Sequence, residues 1–396
     1  MSEAACVLIE VGNCIAHRQG AEPRLMAGAT AGTQRGPAWA GAALALVAGL
    51  LLAGCAASGT RVLHFGMEDA PEGRRLMWPQ APEVPRFMYA GQLLGETNFK
   101  RPAGAATGVG GMLRRLAVFL AGEQAPVVLQ RPQSGTVDAA GRILVTDASR
   151  QAVFVFDPAK GELLLWDKAD GLANFIAPIG IAAGVDGQIL VADAQLGIVA
   201  RLDAQGNPGS AIGRGVLKRP TGLAYDAVQK RIFVADTYMH DIKVFDYDGK
   251  LLKVIGHQGE GEGEFNFPTF LAFAGGELYV ADTMNSRIQV FADGGDRWRS
   301  SFGKRGLFVG NLVRPKGVAV DSDGNIYVVE SYHDHLLVFN RNGDFLMAIG
   351  GLGQETGKFY LPAGAWTDGR NRVFVGDMFN GRVVMFQYLE TSGDGE

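Results

Sequence analysis

Two short clusters carry most of the side chains suited to recognition chemistry. Tyr238, Met239, His240 and Asp241 form one; Tyr332, His333, Asp334 and His335 form the other; Phe379 and Asn380 make a smaller third. Aromatic and imidazole rings stack on a ligand or hydrogen-bond it at small entropic loss, because they have few rotors. Arg131, Arg219 and Arg314 each stand immediately before a proline. Their guanidinium groups suit carboxylates and phosphates. Zinc chemistry would want three close His or acidic ligands, and His240 is far in sequence from the His333 and His335 pair. All three cysteines, Cys6, Cys14 and Cys55, fall in the first 55 residues. No thiolate nucleophile or disulfide is therefore available beyond them. No nucleophile elbow or P-loop is present either. These residues assign no catalytic group, no metal and no cofactor. They point instead to an unknown protein or a small anionic ligand. A net charge of −4 with no basic run excludes nucleic acid as an expected partner.

The elements that would position these groups come from an internal repeat. The strings ILVTD, ILVAD, IFVAD, LYVAD, IYVVE and VFVGD end at Asp147, Asp193, Asp236, Asp282, Glu330 and Asp377, 43 to 48 residues apart. A proline stands 14 to 16 residues before each, from Pro132 to Pro362. An apolar stretch such as DIKVFD or HLLVFN follows each string. Every unit therefore predicts four short strands: a after the proline, b on the string, c on the apolar stretch and d after it. Four strands per repeat of this length predict an all-β fold, a six-bladed β-propeller of four-stranded blades. The 56 glycines fit the many tight turns this needs. Blades taper toward the axis. Two positions after the proline stand Ser134, Gly180, Gly222, Gly317 and Gly364, with Phe270 as the exception. The acid closing each strand b is expected to accept N–H bonds in the b–c turn, a structural role.

The ring must close, because a free edge pairs with other chains. The last unit supplies only strands a, b and c, so RFMYAGQLLGE at 86–96 is expected to complete it as strand d. One connection is long, from Gly95 to Arg131. Within it GMLRRLAVFLAGE at 111–123 puts Leu113, Leu116, Phe119 and Leu120 on one helical face. One inserted helix is expected there, packed on the rim or lying as a lid over the channel mouth.

The motifs resemble a known family. ADTMNSRIQVF at 281–291 looks like the core of the NHL repeat, and RPKGVAVDSDGNIYVVE at 314–330 like its first half. GHQGEGEGEFNFP at 256–268 looks like the glycine-rich connection between repeats. The resemblance covers about residues 86–388 and implies the fold. It says little of function, because NHL propellers serve as binding scaffolds, lyases and signalling modules. It places His240 where the family has its His. Amidating lyases of this fold set metal-binding His around the channel, whereas the inner strands here hold none.

The N-terminus carries an address. Residues 38–54, AWAGAALALVAGLLLAG, form an apolar run after Arg35 and end at Leu52-Ala53-Gly54-Cys55. The order is that of a secretory signal, and its end resembles the bacterial lipobox, which implies lipidation of Cys55. The expected organisation is a signal region over 1–54, with Met26 as the true start, and a lipidated Cys55 with an extended tether over 55–85. The propeller then spans 86–390, with a tail at 391–396. Ala56 follows Cys55 where Asp would retain an enterobacterial lipoprotein at the inner membrane. That resemblance implies the cell outer membrane, facing the periplasm, with the lipid bilayer as a partner. The expected function is a non-catalytic binding or protein-interaction scaffold that uses the b–c and d–a loop face. The alternative is a metal-dependent hydrolase or lyase with its site at the channel mouth.

Overall fold

The computed structural model describes residues 61–66, 76–100 and 125–389. The helix expected at 111–123, the signal region, Cys55 and the tail at 391–396 lie outside the described residues.

Six antiparallel sheets are arranged around an axis, and their inner strands follow one another round the ring. The third blade shows the pattern. Strand a is Pro220–Asp226, b is Arg231–Asp236, c is Asp241–Asp246 and d is Leu251–Ile255. The register runs Pro220 to Asp236, Asp236 to Asp241 and Ile242 to Ile255. Strands b and c are buried along nearly their whole length, because each blade is sandwiched between two others. That is why they read as continuous apolar runs. The outer strand meets solvent on one face, and Arg297–Phe302 in the fourth blade alternates accordingly.

The core is a set of layers between blades. Between the second and third blades, Leu190, Ala192 and Val199 pack on Ile232, Val234 and Phe245. Near the axis there is no room for such layers. A Cβ on Gly222 would lie 2.3 Å from the carbonyl oxygen of Thr269 in the next blade, and one on Gly364 would lie 2.5 Å from that of Gln133. Trp366 is a large side chain on the inner strand of the sixth blade. It stacks on Phe374 at 5.3 Å and occupies the space that a side chain on Gly135 would need.

Closure follows the expectation. Phe87–Leu93 pairs with Arg382–Tyr388 and supplies the missing outer strand of the sixth blade. Two features depart from the sequence reading. The second blade has three strands, and its fourth position is reduced to isolated bridges, Val199 to Ile212 and Leu202 to Pro208. Gly206, Pro208 and Gly209 explain this, since proline lacks the donor and glycine disfavours extended strand. Parts of the tether expected over 55–85 are also sheet partners. Val62–Leu63 pairs with Phe99–Lys100, and Met77–Trp78 adds a fifth strand to the sixth blade. Buried Leu63 and the edge contact of Trp78 with Phe386 hold them.

Candidate functional site

The acid that closes each strand b sets the geometry of one face. Asp147 accepts the backbone N–H groups of Gln130 at 2.6 Å and Arg131 at 2.9 Å, just ahead of strand a. Its other oxygen accepts Ser149 and Arg150 in the b–c turn at 3.0 and 2.9 Å. One carboxylate thus holds the d–a connection and the b–c turn together at the same end of the blade. Glu330 does this for Val313, Arg314 and Tyr332, whereas Asp236 accepts Lys218 and Arg219 ahead of strand a and the Lys243 ammonium on strand c. Fully buried carboxylates of this kind are tolerable only because they are so bonded. The backbones of Arg131, Arg219 and Arg314 are fixed by these latches.

The side chains then build a rim. Arg219 lies over the Tyr238 ring at 5.0 Å. Arg131 lies over Phe379, in the b–c turn of the neighbouring sixth blade, at 5.6 Å. Tyr360 packs against Phe379 at 5.4 Å, and Tyr332 meets His333 edge-on at 5.1 Å. Tyr238, Tyr332 and Phe379 are 59%, 55% and 51% exposed, which is high for rings of this size. Arg314 is exposed and His333 half-buried.

The two remaining histidines are placed differently. His240 is buried, in the left-handed conformation, and its Nδ1 accepts the N–H of Phe267 at 3.2 Å. Its ring packs on Phe267 at 4.4 Å. It joins the b–c turn to the following connection and does not present a free ring at the rim. His335 begins strand c of the fifth blade, half-buried. Burial, then neighbouring His333 and Lys358, hold its imidazole below the usual range, against a backbone bond that raises it.

Lys316 is not among the residues singled out from the sequence, although its station sets it apart. Immediately after the six prolines come Gln133, Ile179, Thr221, Thr269, Lys316 and Ala363, and only one is charged. Thr221 Oγ1 donates to the Thr269 carbonyl, and Thr269 Oγ1 to that of Lys316, so each threonine ties its blade to the next. Lys316 interrupts this series. Burial, then the charges of Arg131 and Arg314, push its ammonium down to about 8.

Along the axis runs a cavity of about 240 Å³, lined by Ser134, Ala182, Phe270 and Ala319 among others. Tyr225 and Trp366 also line it, and the Tyr225 hydroxyl and Trp366 Nε1 are buried without hydrogen-bond partners. Among the described residues no three His, Cys, Asp or Glu side chains are grouped closely enough to hold a metal ion.

Residues 224–292 match a family described as a 6-bladed beta-propeller, and residues 312–339 match the NHL repeat. This chain is a six-bladed β-propeller, one stretch of which matches the NHL repeat. The propeller is 32% identical over 139 residues to the Protein brain tumor of Drosophila melanogaster, covering 34% of this chain and 13% of that one. It is 30% identical over 156 residues to the peptidyl-glycine alpha-amidating monooxygenase of Mus musculus, covering 35% of this chain and 16% of that one. The matched part is thus a small share of either relative. Among solved structures, a streptogramin B lyase aligns with a TM-score of 0.50 at 12% identity, over 66% of this chain and 94% of that one. A gluconolactonase from Xanthomonas campestris aligns with a TM-score of 0.51 at 18% identity, over 69% and 93%. At such identities the likeness concerns the fold alone.

Proposed function

We propose that this propeller is a non-catalytic binding or protein-interaction scaffold at the cell envelope. It is held to the bilayer through a lipidated Cys55, faces the periplasm from the outer membrane, and binds through the face that carries the b–c turns and d–a connections. The observation that carries the reading is the rim itself: exposed Tyr238, Tyr332 and Phe379 on one face, two of them beneath arginines. Large rings beside guanidinium groups are the usual anchors of protein interfaces.

The test is capture of partners by the full chain and by Tyr332→Ala with Phe379→Ala. A control at Val228→Ser alters an exposed a–b turn at the other end of a blade. Loss of a captured partner with the rim pair alone supports the scaffold; loss with Val228→Ser alone refutes the face. Cys55→Ser should release the protein from the detergent-extracted membrane fraction, and unchanged attachment would refute the anchor. The rival reading, a metal-dependent hydrolase or lyase at the channel mouth, draws on the likeness to the amidating monooxygenase. A stoichiometric divalent ion in the purified chain would favour it.

A further inference from the structure

Three connections between blades share one frame. They run from Gly256 to Pro268, from Gly303 to Pro315 and from Gly350 to Pro362, all of equal length. The same isolated bridge closes each, Gln258 with Phe265, Arg305 with Leu312 and Leu352 with Phe359. Phe265, Leu312 and Phe359 are buried anchors. The same tight turn lies within each: the N–H groups of Glu264, Asn311 and Lys358 donate to the carbonyls of Gly261, Phe308 and Glu355. Only the tips differ. They read Glu260-Gly261-Glu262 and Gln354-Glu355-Thr356 in two connections, and Leu307-Phe308-Val309 in the one that joins the fourth blade to the fifth. Leu307, Phe308 and Val309 are 77%, 82% and 62% exposed. The frame does not need these side chains, since polar tips close it twice. An apolar tip held out in water marks a contact with something else.

The surroundings indicate what that is. Gly306 and Gly310 flank the tip, so it offers no side-chain donor or acceptor. A protein interface, by contrast, mixes its apolar anchors with hydrogen bonds. From Gly303 to Val320 the chain carries Lys304, Arg305, Arg314 and Lys316 and no acid. Lys304 and Arg305 are exposed at the base of the tip. Arg305 also fixes that base. Its Nε donates to Ser286 Oγ at 3.1 Å and an Nη to the Met284 carbonyl at 2.9 Å, both at the b–c turn of the fourth blade. At the other end, a Cβ on Gly310 would come within 3.0 Å of the Phe345 ring, on the outer strand of the fifth blade. Phe345 and its neighbour Leu346 are exposed apolar residues too. A firmly mounted apolar tip with cations at its base is the arrangement of an element that dips into a bilayer. Its apolar side chains reach the acyl boundary while the cations meet the phosphates. The connections on either side carry Glu260, Glu262 and Glu355, so this sector alone of the three suits an anionic surface.

We propose that the Leu307-Phe308-Val309 tip inserts into the surface of an anionic phospholipid bilayer, with Lys304 and Arg305 facing the headgroup phosphates. The contact goes beyond the scaffold reading and requires neither a lipid on Cys55 nor the rings of Tyr332 and Phe379. For a chain already tethered to the membrane, high local concentration makes even a weak second contact effective, and this one fixes which sector of the propeller faces the lipid.

The experiment uses the full chain with Cys6→Ser, Cys14→Ser and Cys55→Ser, which removes every native thiol and any lipid on Cys55. A single labelling site is then introduced as Phe308→Cys or, at the matching station of the next connection, as Glu355→Cys, and carries an environment-sensitive fluorophore. Both chains share the same N-terminal segment, so a difference between them reports the connection. Vesicles of phosphatidylethanolamine with phosphatidylglycerol should shift the Phe308→Cys probe to the blue, and brominated acyl chains should quench it. The Glu355→Cys probe should do neither. Vesicles of phosphatidylcholine alone should give a weaker response, and adding Lys304→Gln should lower vesicle affinity about fivefold. A Phe308→Cys probe that stays in water, equal responses from the two probes, or equal responses to the two kinds of vesicle would each overturn the proposal. A blue shift that grows with protein concentration before any vesicle is added would mean that a second copy covers the tip, and would overturn it too. The scaffold is tested separately by partner capture. Capture that needs Tyr332 and Phe379 while the tip probe stays in water leaves the scaffold and removes this contact.

Discussion

Lys316 carries its charge in surroundings that disfavour it, and this has a sign that can be checked. Its folded value, about 8, lies below the ordinary 10.5. Between those values the unfolded chain holds a proton that the folded chain has released, so this group makes stability rise with pH across that window. Below about pH 8 the folded state bears the whole penalty. Lys316→Met should therefore stabilise the protein at pH 7, by about 1–3 kcal/mol once the partial exposure of the side chain is discounted. The gain should shrink as pH rises through the window. Denaturant melts of parent and variant at pH 7 and pH 10 would show it. A destabilised variant at pH 7 would mean that the ammonium makes a favourable contact instead.

At the scale of the element, the b–c turn and the lead-in to strand a behave as one unit because a single carboxylate binds both. Asp147 and Glu330 bind both, and Asp236 shows how much such a carboxylate holds on the strand-a side. It accepts Lys218 and Arg219 N–H groups at 2.9 and 2.7 Å and pairs with Lys243 at 3.0 Å. Asp236→Ala would strand the Lys218 and Arg219 N–H groups and leave Lys243 with Asp241 alone. A loss of about 3–5 kcal/mol is expected from breaking such a buried pair. Arg219 would lose its backbone anchor at the same time. Asp203 is a useful comparison, since it accepts Gln205 and Asn207 N–H groups in an exposed turn. Asp203→Ala should cost about 1 kcal/mol or less. Equal losses in the two variants, measured by urea unfolding, would show that the latch has no special role. Inner strands are just as intolerant. Gly222→Val would drive side-chain atoms into the Thr269 carbonyl, and overpacking of this sort costs about 1–3 kcal/mol.

At the scale of the whole molecule, the ring is held shut by a strand from the beginning of the fold. Phe87–Leu93 lies between the last strand and Met77–Trp78, and Phe87, Tyr89 and Phe386 belong to one buried cluster with Tyr327 of the fifth blade. Deleting 76–96 should open the sixth blade, expose a long edge and cause aggregation on heating. Deleting 56–66 should also lower stability, though by less, because Leu63 is buried and Asn98 Nδ2 donates to the His64 carbonyl at 2.7 Å. Melting of the two truncations against the full chain would rank them. A 56–66 deletion that melted like the parent would show that this added strand is dispensable.

The repeat of proline, strand and acid specified the blade, its four-strand pattern and the need for an N-terminal strand to close the ring. Those features are legible because they are local: a period, a turn residue or an apolar run is written into consecutive positions. The same locality brought Tyr238, Tyr332, Phe379 and the three arginines to one face, since each occupies the same station in its own blade. Local reading failed where the outcome depended on neighbours distant in sequence. His240 has the composition of a ligand, yet the approach of Phe267 from the next connection buries it. Val62–Leu63 shows no period, yet Phe99–Lys100 offers it an edge. Lys316 is an ordinary lysine in the chain. Only the closing of the ring, which sets the first blade two places from the fifth, brings Lys316 under the charge of Arg131. Electrostatic fields act through space, so that encounter was decided by the tertiary structure alone.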